Sequence, residues 1–537
     1  MKSPVLPVRL GSLVLLSGPP GCGKSTACRY LPESLIVSSD RLRSNFFGTA
    51  KTLVDGQVAD RPMALDDGLV FGVMEQVVRS RIKAGLTTVV DATLISDQER
   101  KPFAAIAQVL HVPLQVVIFD LPEEQVRSQN KSRACPVPDA VVSHFCQRLQ
   151  RDSAWPHTVL ASACALELDV PTIPAGTLLD VIGDVHGLAD TLAEMLAQLG
   201  YDADFNHPQG RKLCFLGDLV DRGPQSLGVL ELVMNAVEQG HYCIRGNHDH
   251  NLLRGLWGES LRSRATRETL HDLLKTEPEY QQRVEQFLMA LPTFYRFDYS
   301  SEDQPAHQSA HQSAHQSEQY ILCHSDLEWF HPVLQPGREH MYGRCKVNET
   351  YDTDGVFRRA IAAGSNPAQP PILIRGHMPL TSPGEGVFSL EAGAGFGGPL
   401  AAMRLPERDL VKVACEYDYS QREESLSDRL DALVTQKWVK RVSSPCGQLN
   451  LYKYTAKAFF SPTVWGEYPE LKLARGVVTG LNGEAVNHPF PRTFNYGESN
   501  GLEPTALPLE TAVVAIEKLN GFLVTTFCIP TIAVNCW

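Results

Sequence analysis

The sequence predicts a multidomain chain built from α/β and α+β units, and three observations carry that expectation. At 537 residues the chain is long for one core, since a prior of about 150 residues per domain gives three or four units. Residues 10 to 26 read as strand, glycine-rich turn and helix, the opening of an α/β unit. Between Asp180 and Asp249 three short polar blocks recur, each behind an apolar or β-prone run. Each block then lies in a loop leaving the C-terminal end of a strand, and loops at that edge converge in an α/β sheet.

Composition narrows the function classes. No apolar run approaches the ~20 residues needed to span a bilayer, and the opening Leu10 to Leu16 is a first strand rather than a signal peptide. A cytoplasmic protein with no membrane partner is expected. The 13 cysteines show no C-x-x-C pairing, which favours reduced thiols over a zinc knuckle or a disulfide framework. A net charge of −12 excludes a broad nucleic-acid-coating face. The charge is uneven, with 18 Lys+Arg against 15 Asp+Glu in residues 1 to 165 and 31 against 46 in the rest. A nucleic acid would be gripped at an end.

Taken in order, Gly18-Pro19-Pro20-Gly21-Cys22-Gly23-Lys24-Ser25-Thr26 fits the phosphate-loop pattern G-x-x-x-x-G-K-[ST] between strand and helix. Gly18, Gly21 and Gly23 let backbone N–H groups wrap the phosphates of ATP or GTP, Lys24 reaches the β/γ-phosphates, Ser25 holds Mg²⁺, and Thr26 completes the loop. Leu35 to Ser38 reads as the second strand, delivering Ser39-Asp40-Arg41-Leu42-Arg43 to the same edge. There Asp40 can accept the proton of an attacking hydroxyl, and Arg43, one helical turn on, can orient it or hold a phosphate. Met63 to Lys83 has helical periodicity, Thr87 to Val90 is a strand ending in Asp91-Ala92-Thr93, Leu114 to Phe119 is another, and Pro122 to Arg133 is a helix with Arg127, Lys131 and Arg133.

This order resembles the phage and bacterial polynucleotide kinases across about residues 1–170. The resemblance implies that Asp40 is the general base for a 5′-hydroxyl, Arg43 its partner, Arg133 a lid residue on the phosphates of ATP, and Mg²⁺ the kinase cation. Where such kinases carry a second lid arginine, this chain has Ala134-Cys135-Pro136-Val137-Pro138, leaving Arg148 as the candidate substitute.

A linker over 171–177 leads to the blocks Gly183-Asp184-Val185-His186-Gly187, Gly217-Asp218-Leu219-Val220-Asp221-Arg222-Gly223 and Gly246-Asn247-His248-Asp249. They follow Leu178 to Ile182, Leu213 to Leu216 and His241 to Ile244, with helices expected over Leu188 to Leu199 and Pro224 to Val237. Asp184, His186, Asp218 and Asn247 would meet as oxygen and imidazole ligands, suited to two divalent cations such as Mn²⁺ or Mg²⁺ with one carboxylate bridging. His324, ending Tyr320 to Cys323, and His377, ending Pro371 to Arg375, complete the set. Any one block is ordinary turn chemistry. All three in order, with two strand-end histidines, are not.

The blocks resemble the calcineurin-like metallophosphoesterase superfamily across residues 178–405. The resemblance implies an αββα sandwich in which His248, paired with Asp221, acts on the leaving-group oxygen while Arg222 grips the phosphate. An imidazole beside a carboxylate and a planar guanidinium suit those tasks. His250 is expected at the surface. The repeat Ala306-His307-Gln308-Ser309, running on through Ser317, reads as a flexible loop.

Residues 406–537 change character. Ser420 to Val442 reads as helix-rich, and Lys518-Leu519-Asn520-Gly521 matches K-x-[DN]-G, whose lysine attacks the α-phosphate of ATP. With Ala474-Arg475-Gly476-Val477-Val478 and the block from Pro489 to Glu498, this region resembles the N-terminal part of a phage-type RNA ligase. Sixteen residues follow Gly521, so a truncated, incomplete nucleotidyltransferase is expected, poorly packed because a half-built sheet leaves an unpaired edge.

Together the kinase and phosphoesterase resemble the bacterial polynucleotide kinase-phosphatases of RNA repair. That implies RNA ends as substrates (5′-OH, 3′-phosphate or 2′,3′-cyclic phosphate), an ATP-dependent 5′-kinase, a metal-dependent 3′(2′)-phosphatase, and a separate RNA ligase as partner. A rival reading is a protein Ser/Thr phosphatase or dinucleoside tetraphosphate hydrolase with a regulatory ATP-binding domain, and the Asp40/Arg43 pair discriminates, because regulation needs no general base. A third reading is a decayed scaffold.

The chain is expected not to seal RNA alone. A lysine with a pKa near 10.4 needs neighbours to lower it before it can attack at about pH 7, and only Phe522 to Trp537 follow the motif. Incubation with α-labelled ATP should give a blank lane on a denaturing gel. A labelled band that vanishes in Lys518→Ala would overturn the expectation.

Overall fold

A computed structural model describes residues 4–54, 57–133, 136–299, 318–325, 371–377, 386–422, 424–444, 447–461 and 463–487. Lys518, the repeat at 306–317 and the block at 489–498 lie outside the described residues. The chain forms two compact units, Met1–Ala175 with Thr293–Ile372, and Gly176–Pro292 with Leu373–Trp537.

The first unit is built on β1 (Leu13–Ser17), β2 (Ile36–Ser38), β3 (Thr88–Asp91), β4 (Leu114–Phe119) and β5 (His157–Leu160), in the order β2-β3-β1-β4-β5. Every pairing is parallel. A parallel sheet is covered on both faces, and β1, Leu-Val-Leu-Leu-Ser, is buried at every position. Helices Asp67–Lys83 and Asp97–Val109 bury Val70, Met74, Val78, Phe103 and Ile106. The first of these was expected from Met63. It starts at Asp67 because Asp66 caps it, accepting from the N–H of Leu69 at 2.9 Å.

The helix after the phosphate loop is only Lys24–Ala27, continued by a 3₁₀ turn over Cys28–Tyr30. Pro32 disfavours helical backbone at the residue before it, and Leu31 is extended at φ −87°, ψ 141°. The sequence reading also omitted the antiparallel hairpin Thr49–Val54/Gln57–Pro62. Within the expected linker, Thr172–Ile173 forms a strand, parallel to Phe294–Tyr299, which pairs antiparallel with Glu318–Cys323.

In the second unit β6 (Leu179–Ile182), β7 (Lys212–Phe215), β8 (Tyr242–Cys243), β9 (Leu400–Leu405) and β10 (Asp409–Val413) form a sheet ordered β8-β7-β6-β9-β10. β6, β7 and β8 run parallel, so the loops after them leave from one edge; β9 is antiparallel to both β6 and β10. Helices Ala189–Leu199 and Ser226–Glu238 contribute Leu192, Met195, Val229 and Val233 to the core. Ile372–Arg375 pairs in parallel with Val387–Ser389. His250, expected at the surface, is half-buried.

The C-terminal region departs from expectation twice. Among the described residues of the expected helical stretch, Leu426–Thr435 is α-helix and Tyr419–Gln421 a 3₁₀ turn, and Val439–Ser443 is a strand in an antiparallel sheet with Asn450–Tyr454 and Arg475–Thr479. The described part is also well packed, with Leu430, Leu433, Tyr452, Trp465 and Val477 forming its own core. The helix and a large aromatic pack on this sheet, and the Lys518 motif on which the unpaired-edge expectation rested lies outside the described residues. No helix among the described residues is long and apolar enough to cross a membrane, and the described cysteines are free thiols.

His241 gives the fold a pH dependence. Its Nδ1 accepts from the N–H of Leu213 at 2.9 Å and its Nε2 bonds the carbonyl of Phe205 at 3.1 Å, an arrangement only the neutral ring can make. Burial, then Lys212, push its pKa down to about 4. The neutral form is therefore favoured by folding, and its contribution, complete above the ordinary value of about 6.5, is lost as pH falls toward 4, by up to about 3 kcal/mol. The thermal midpoint of the second unit should fall below about pH 6.5, and His241→Gln should flatten that slope.

Candidate active sites

The loops after β6, β7 and β8 meet through backbone that leaves no room for side chains. A Cβ on Gly217 would stand 2.4 Å from the Gly246 nitrogen, and one on Gly246 would stand 2.2 Å from the Asp218 nitrogen. Asp249 ties two loops, accepting from Leu219 N–H at 2.9 Å and Gly246 N–H at 2.8 Å. His186, Asp218, Asp221 and Arg222 all adopt positive φ, between 47° and 73°, a costly conformation for such residues.

These turns aim a dense set of donors inward. His186 is fully buried, with Nδ1 3.2 Å from the carbonyl of Val220. That bond places the proton on Nδ1 and leaves Nε2, which lies 3.9 Å from Asp184 and 3.8 Å from Asp218, as the ligand nitrogen. Ligand atoms of His186, Asp218 and His248 lie within 4.8 Å of one another, as do those of Asp184, His186 and Glu391. A His377 ring nitrogen comes within 4.8 Å of an Asp218 oxygen, and the His377 N–H donates to Asp184 at 3.0 Å. Asn247 opens helix Asn247–Leu256 and is largely buried. His324 ends the strand Glu318–Cys323 and is fully buried.

Glu391, just past Val387–Ser389, is a member of this cluster that the sequence reading missed, because no motif flanks it. Burial, then Glu391 and Asp218, push the Asp184 carboxyl well above its ordinary range. Crowded buried carboxylates are unstable as anions alone and are neutralised by cations. Carboxylate and imidazole donors in this arrangement fit hard or borderline divalent ions. Burial, then Arg222, hold His186 well below the ordinary imidazole value, so it remains neutral and able to ligate.

His248 sits beside that cluster. Its Nδ1 is 2.6 Å from Asp221 Oδ2, and its N–H donates to Asp218 at 2.9 Å. Burial lowers its pKa, but Asp218 and Asp221 outweigh burial and raise it. Arg222 reaches His186 Nε2 at 2.6 Å and His248 Nε2 at 3.4 Å, with Phe396 stacked 4.5 Å from its guanidinium carbon.

In the first unit a cavity of about 1030 Å³ is lined by Gly21, Gly23, Lys24, Ser25, Thr26 and, across from them, Asp40, Arg43, Arg133 and Arg148. Gly21 and Gly23 have φ of 87° and 97°, and a Cβ on Gly21 would meet the Val126 carbonyl at 2.8 Å. Lys24 Nζ donates to the carbonyls of Gly18 at 2.6 Å and Pro19 at 3.0 Å. Ser25 Oγ donates to Asp91 at 3.0 Å, which brings into the pocket a carboxylate to which the sequence reading gave no role. Arg43 bonds Asp40 and Asp67, each at 2.9 Å, and Arg133 lies 3.9 Å from Asp40.

A P-loop domain carrying a kinase-like pocket and a cluster of metal-ligating side chains at parallel strand ends make this chain a metallophosphoesterase fused to a P-loop kinase-like domain. Residues 178–410 match the calcineurin-like phosphoesterases and residues 13–151 match the AAA domain. The chain is 30% identical over 254 residues to the asymmetrical bis(5′-nucleosyl)-tetraphosphatase PrpE of Halalkalibacterium halodurans, covering 44% of this chain and 92% of the relative. The corresponding protein of Bacillus subtilis is 29% identical over 252 residues, covering 45% and 96%. The chain belongs to the calcineurin-like phosphoesterase family. Among solved structures, the Pnkp1/Rnl/Hen1 RNA repair complex aligns at TM-score 0.23 and 15% identity, covering 54% of this chain and 95% of that one. A cold-active protein-tyrosine phosphatase of a psychrophilic Shewanella aligns at 0.29 and 17%, covering 45% and 83%.

Asp218→Asn should lower bound divalent metal and cut phosphomonoesterase turnover by at least about a hundredfold with any added cation, because one carboxylate at the centre of the cluster serves more than one ligand group. Metal content by atomic spectroscopy, read with turnover, checks both halves.

Proposed function

We propose that the chain heals broken RNA ends, phosphorylating a 5′-OH with ATP and removing a 3′- or 2′-phosphate. The observation that carries the reading is the company Asp40 keeps. A module that only binds ATP needs the phosphate loop, yet here a carboxylate and two arginines, Arg43 and Arg133, line the same cavity across from Lys24 and Ser25. Asp40, in this reading, accepts the proton of the attacking hydroxyl, Arg43 orients it, and Arg133 with Arg148 holds the phosphates. Ser25 and Asp91 would hold Mg²⁺.

In the phosphoesterase, Asp184, His186, Asp218, Asn247 and His377 are the residues that would hold two divalent cations, Mn²⁺ foremost. Such ions, when bound, supply a nucleophilic hydroxide and polarise the phosphoryl oxygens. Arg222 presents its fork to those oxygens, and His248, held by Asp221, delivers a proton to the leaving oxygen.

A second reading is favoured by the relatives, which are named as tetraphosphatases: the phosphoesterase cleaves dinucleoside polyphosphates. A substrate panel separates the two. RNA repair predicts turnover of 3′-phosphorylated oligonucleotides and γ-phosphate transfer to 5′-OH RNA, whereas the second reading predicts diadenosine tetraphosphate cleavage and no transfer to RNA.

Asp40→Ala should abolish labelled-phosphate transfer from γ-labelled ATP to 5′-OH RNA and leave phosphatase turnover within a few-fold, since the two sites belong to separate compact units and share no residue. Unchanged transfer would remove Asp40 from the mechanism.

A further inference from the structure

Asp221 is 1% exposed and its carboxylate is fully engaged. Oδ2 receives His248 at 2.6 Å and the hydroxyl of Thr266, and Oδ1 receives the hydroxyl of Thr269 at 2.8 Å. The Asp221 N–H donates to Ser226 Oγ at 3.0 Å, which lies 3.3 Å from Thr269 Oγ1. Thr266 and Thr269 are one turn apart on helix Arg264–Leu273, both buried, so they face the same way. A threonine pair supplies two O–H donors and no charge, which fixes both carboxylate oxygens without displacing the imidazole.

The same helix is gripped from its other side. Arg264 pairs with Asp428 at 2.8 Å, Arg267 lies 3.5 Å from Asp431 and 3.8 Å from Asp428, and Arg441 pairs with Asp431 at 3.1 Å. Arg267 is 1% exposed. A buried guanidinium is tolerated only when paired, so helix Arg264–Leu273 keeps this place while the Asp428 and Asp431 carboxylates are present.

We propose that Thr266 and Thr269 are positioning residues for the His248 proton donor, and that the segment Ser425–Ser443 clamps the helix that carries them. The proposal rests on the reading of His248 as that donor. In the step concerned, the attacking oxygen forms a bond to phosphorus, the bond to the leaving oxygen breaks with its electron pair, and that oxygen takes the proton from His248 Nε2. Asp221 keeps Nδ1–H bonded, so Nε2 points outward. With the threonine hydroxyls gone, the carboxylate can rotate and the imidazole follows it.

The test compares nitrophenyl phosphate, whose leaving group needs little protonation, with glycerol 2-phosphate, whose alkoxide needs it. Thr269→Val and Thr266→Val, which keep the shape, should lower kcat on glycerol 2-phosphate about tenfold, as loss of a bond to a charged group does, and change kcat on nitrophenyl phosphate less than about twofold. Thr269→Ser should restore both. Asp431→Asn, remote from the reacting atoms, should show the same selective loss and decides the matter if a valine variant does not fold. Manganese per chain should match the unsubstituted protein, whereas the thermal midpoint should fall in each variant that leaves a buried charge short of a partner. Loss on both substrates alike, or on neither, overturns the proposal. His248→Ala run alongside identifies the cause: selective loss there with none in the threonine variants removes the threonines alone, and unselective loss there removes the proton-donor reading and the proposal with it.

Discussion

Asp184 and Asp218 lie buried, each within a few ångströms of His186, and half-buried Glu391 joins Asp184 and His186; this crowding of carboxylates is the constraint on which the second unit depends. Like charges in a low-dielectric site repel strongly, so the fold must supply enough rigidity to keep the set together. It does so with backbone. Four non-glycine residues of the two aspartate loops sit at positive φ, and glycines pack against backbone atoms where a methyl group would not fit. The core beneath, including Ile182, Val185, Phe215, Leu219 and Leu252, holds loops that would relax if free. Metal-ligand geometry and backbone strain are therefore one feature seen from two sides.

The P-loop pocket works under a different constraint. Its charged groups are already paired, buried Lys24 with the loop's own carbonyls and the more exposed Arg43 with Asp40 and Asp67. Positive φ in its loop falls on Gly18, Gly21 and Gly23, where it carries little cost. Such a site is permissive, suited to an anionic ligand that exchanges, whereas the phosphoesterase cluster is committed to cations.

Legibility in the sequence followed these differences. Strand ends that carry ligands were readable because the apolar runs before Asp184, Asp218 and Asn247 are short, buried and parallel, and because glycine marks each turn. The end of the helix after Lys24 was not read at all, since it depends on Pro32 acting on Leu31, which no periodicity count registers. Glu391 escaped because its place in the cluster comes from a sheet crossing, with nothing local to mark it. Thr266 and Thr269 escaped for a sharper reason: threonine on a helix is ordinary, and only the approach of Asp221 from 45 residues earlier gives the hydroxyls a task. Residues whose role lies in long-range contact leave no local pattern.

The same distinction bears on the C-terminal segment. Its motifs resemble part of another enzyme, but its charges answer to the phosphoesterase. Arg267, 1% exposed, faces Asp428 and Asp431, and a guanidinium left there without them would face a desolvation penalty of several kcal/mol. Tyr452 donates to Asp431 at 3.0 Å, and Ser427 lies 2.8 Å from the Tyr452 hydroxyl, so the carboxylate that neutralises Arg267 is itself fixed by the small sheet's core. Descent can be read from motifs, but the energetic boundary of a unit follows its buried charges. By that measure residues 425–454 belong with the helix that holds Asp221.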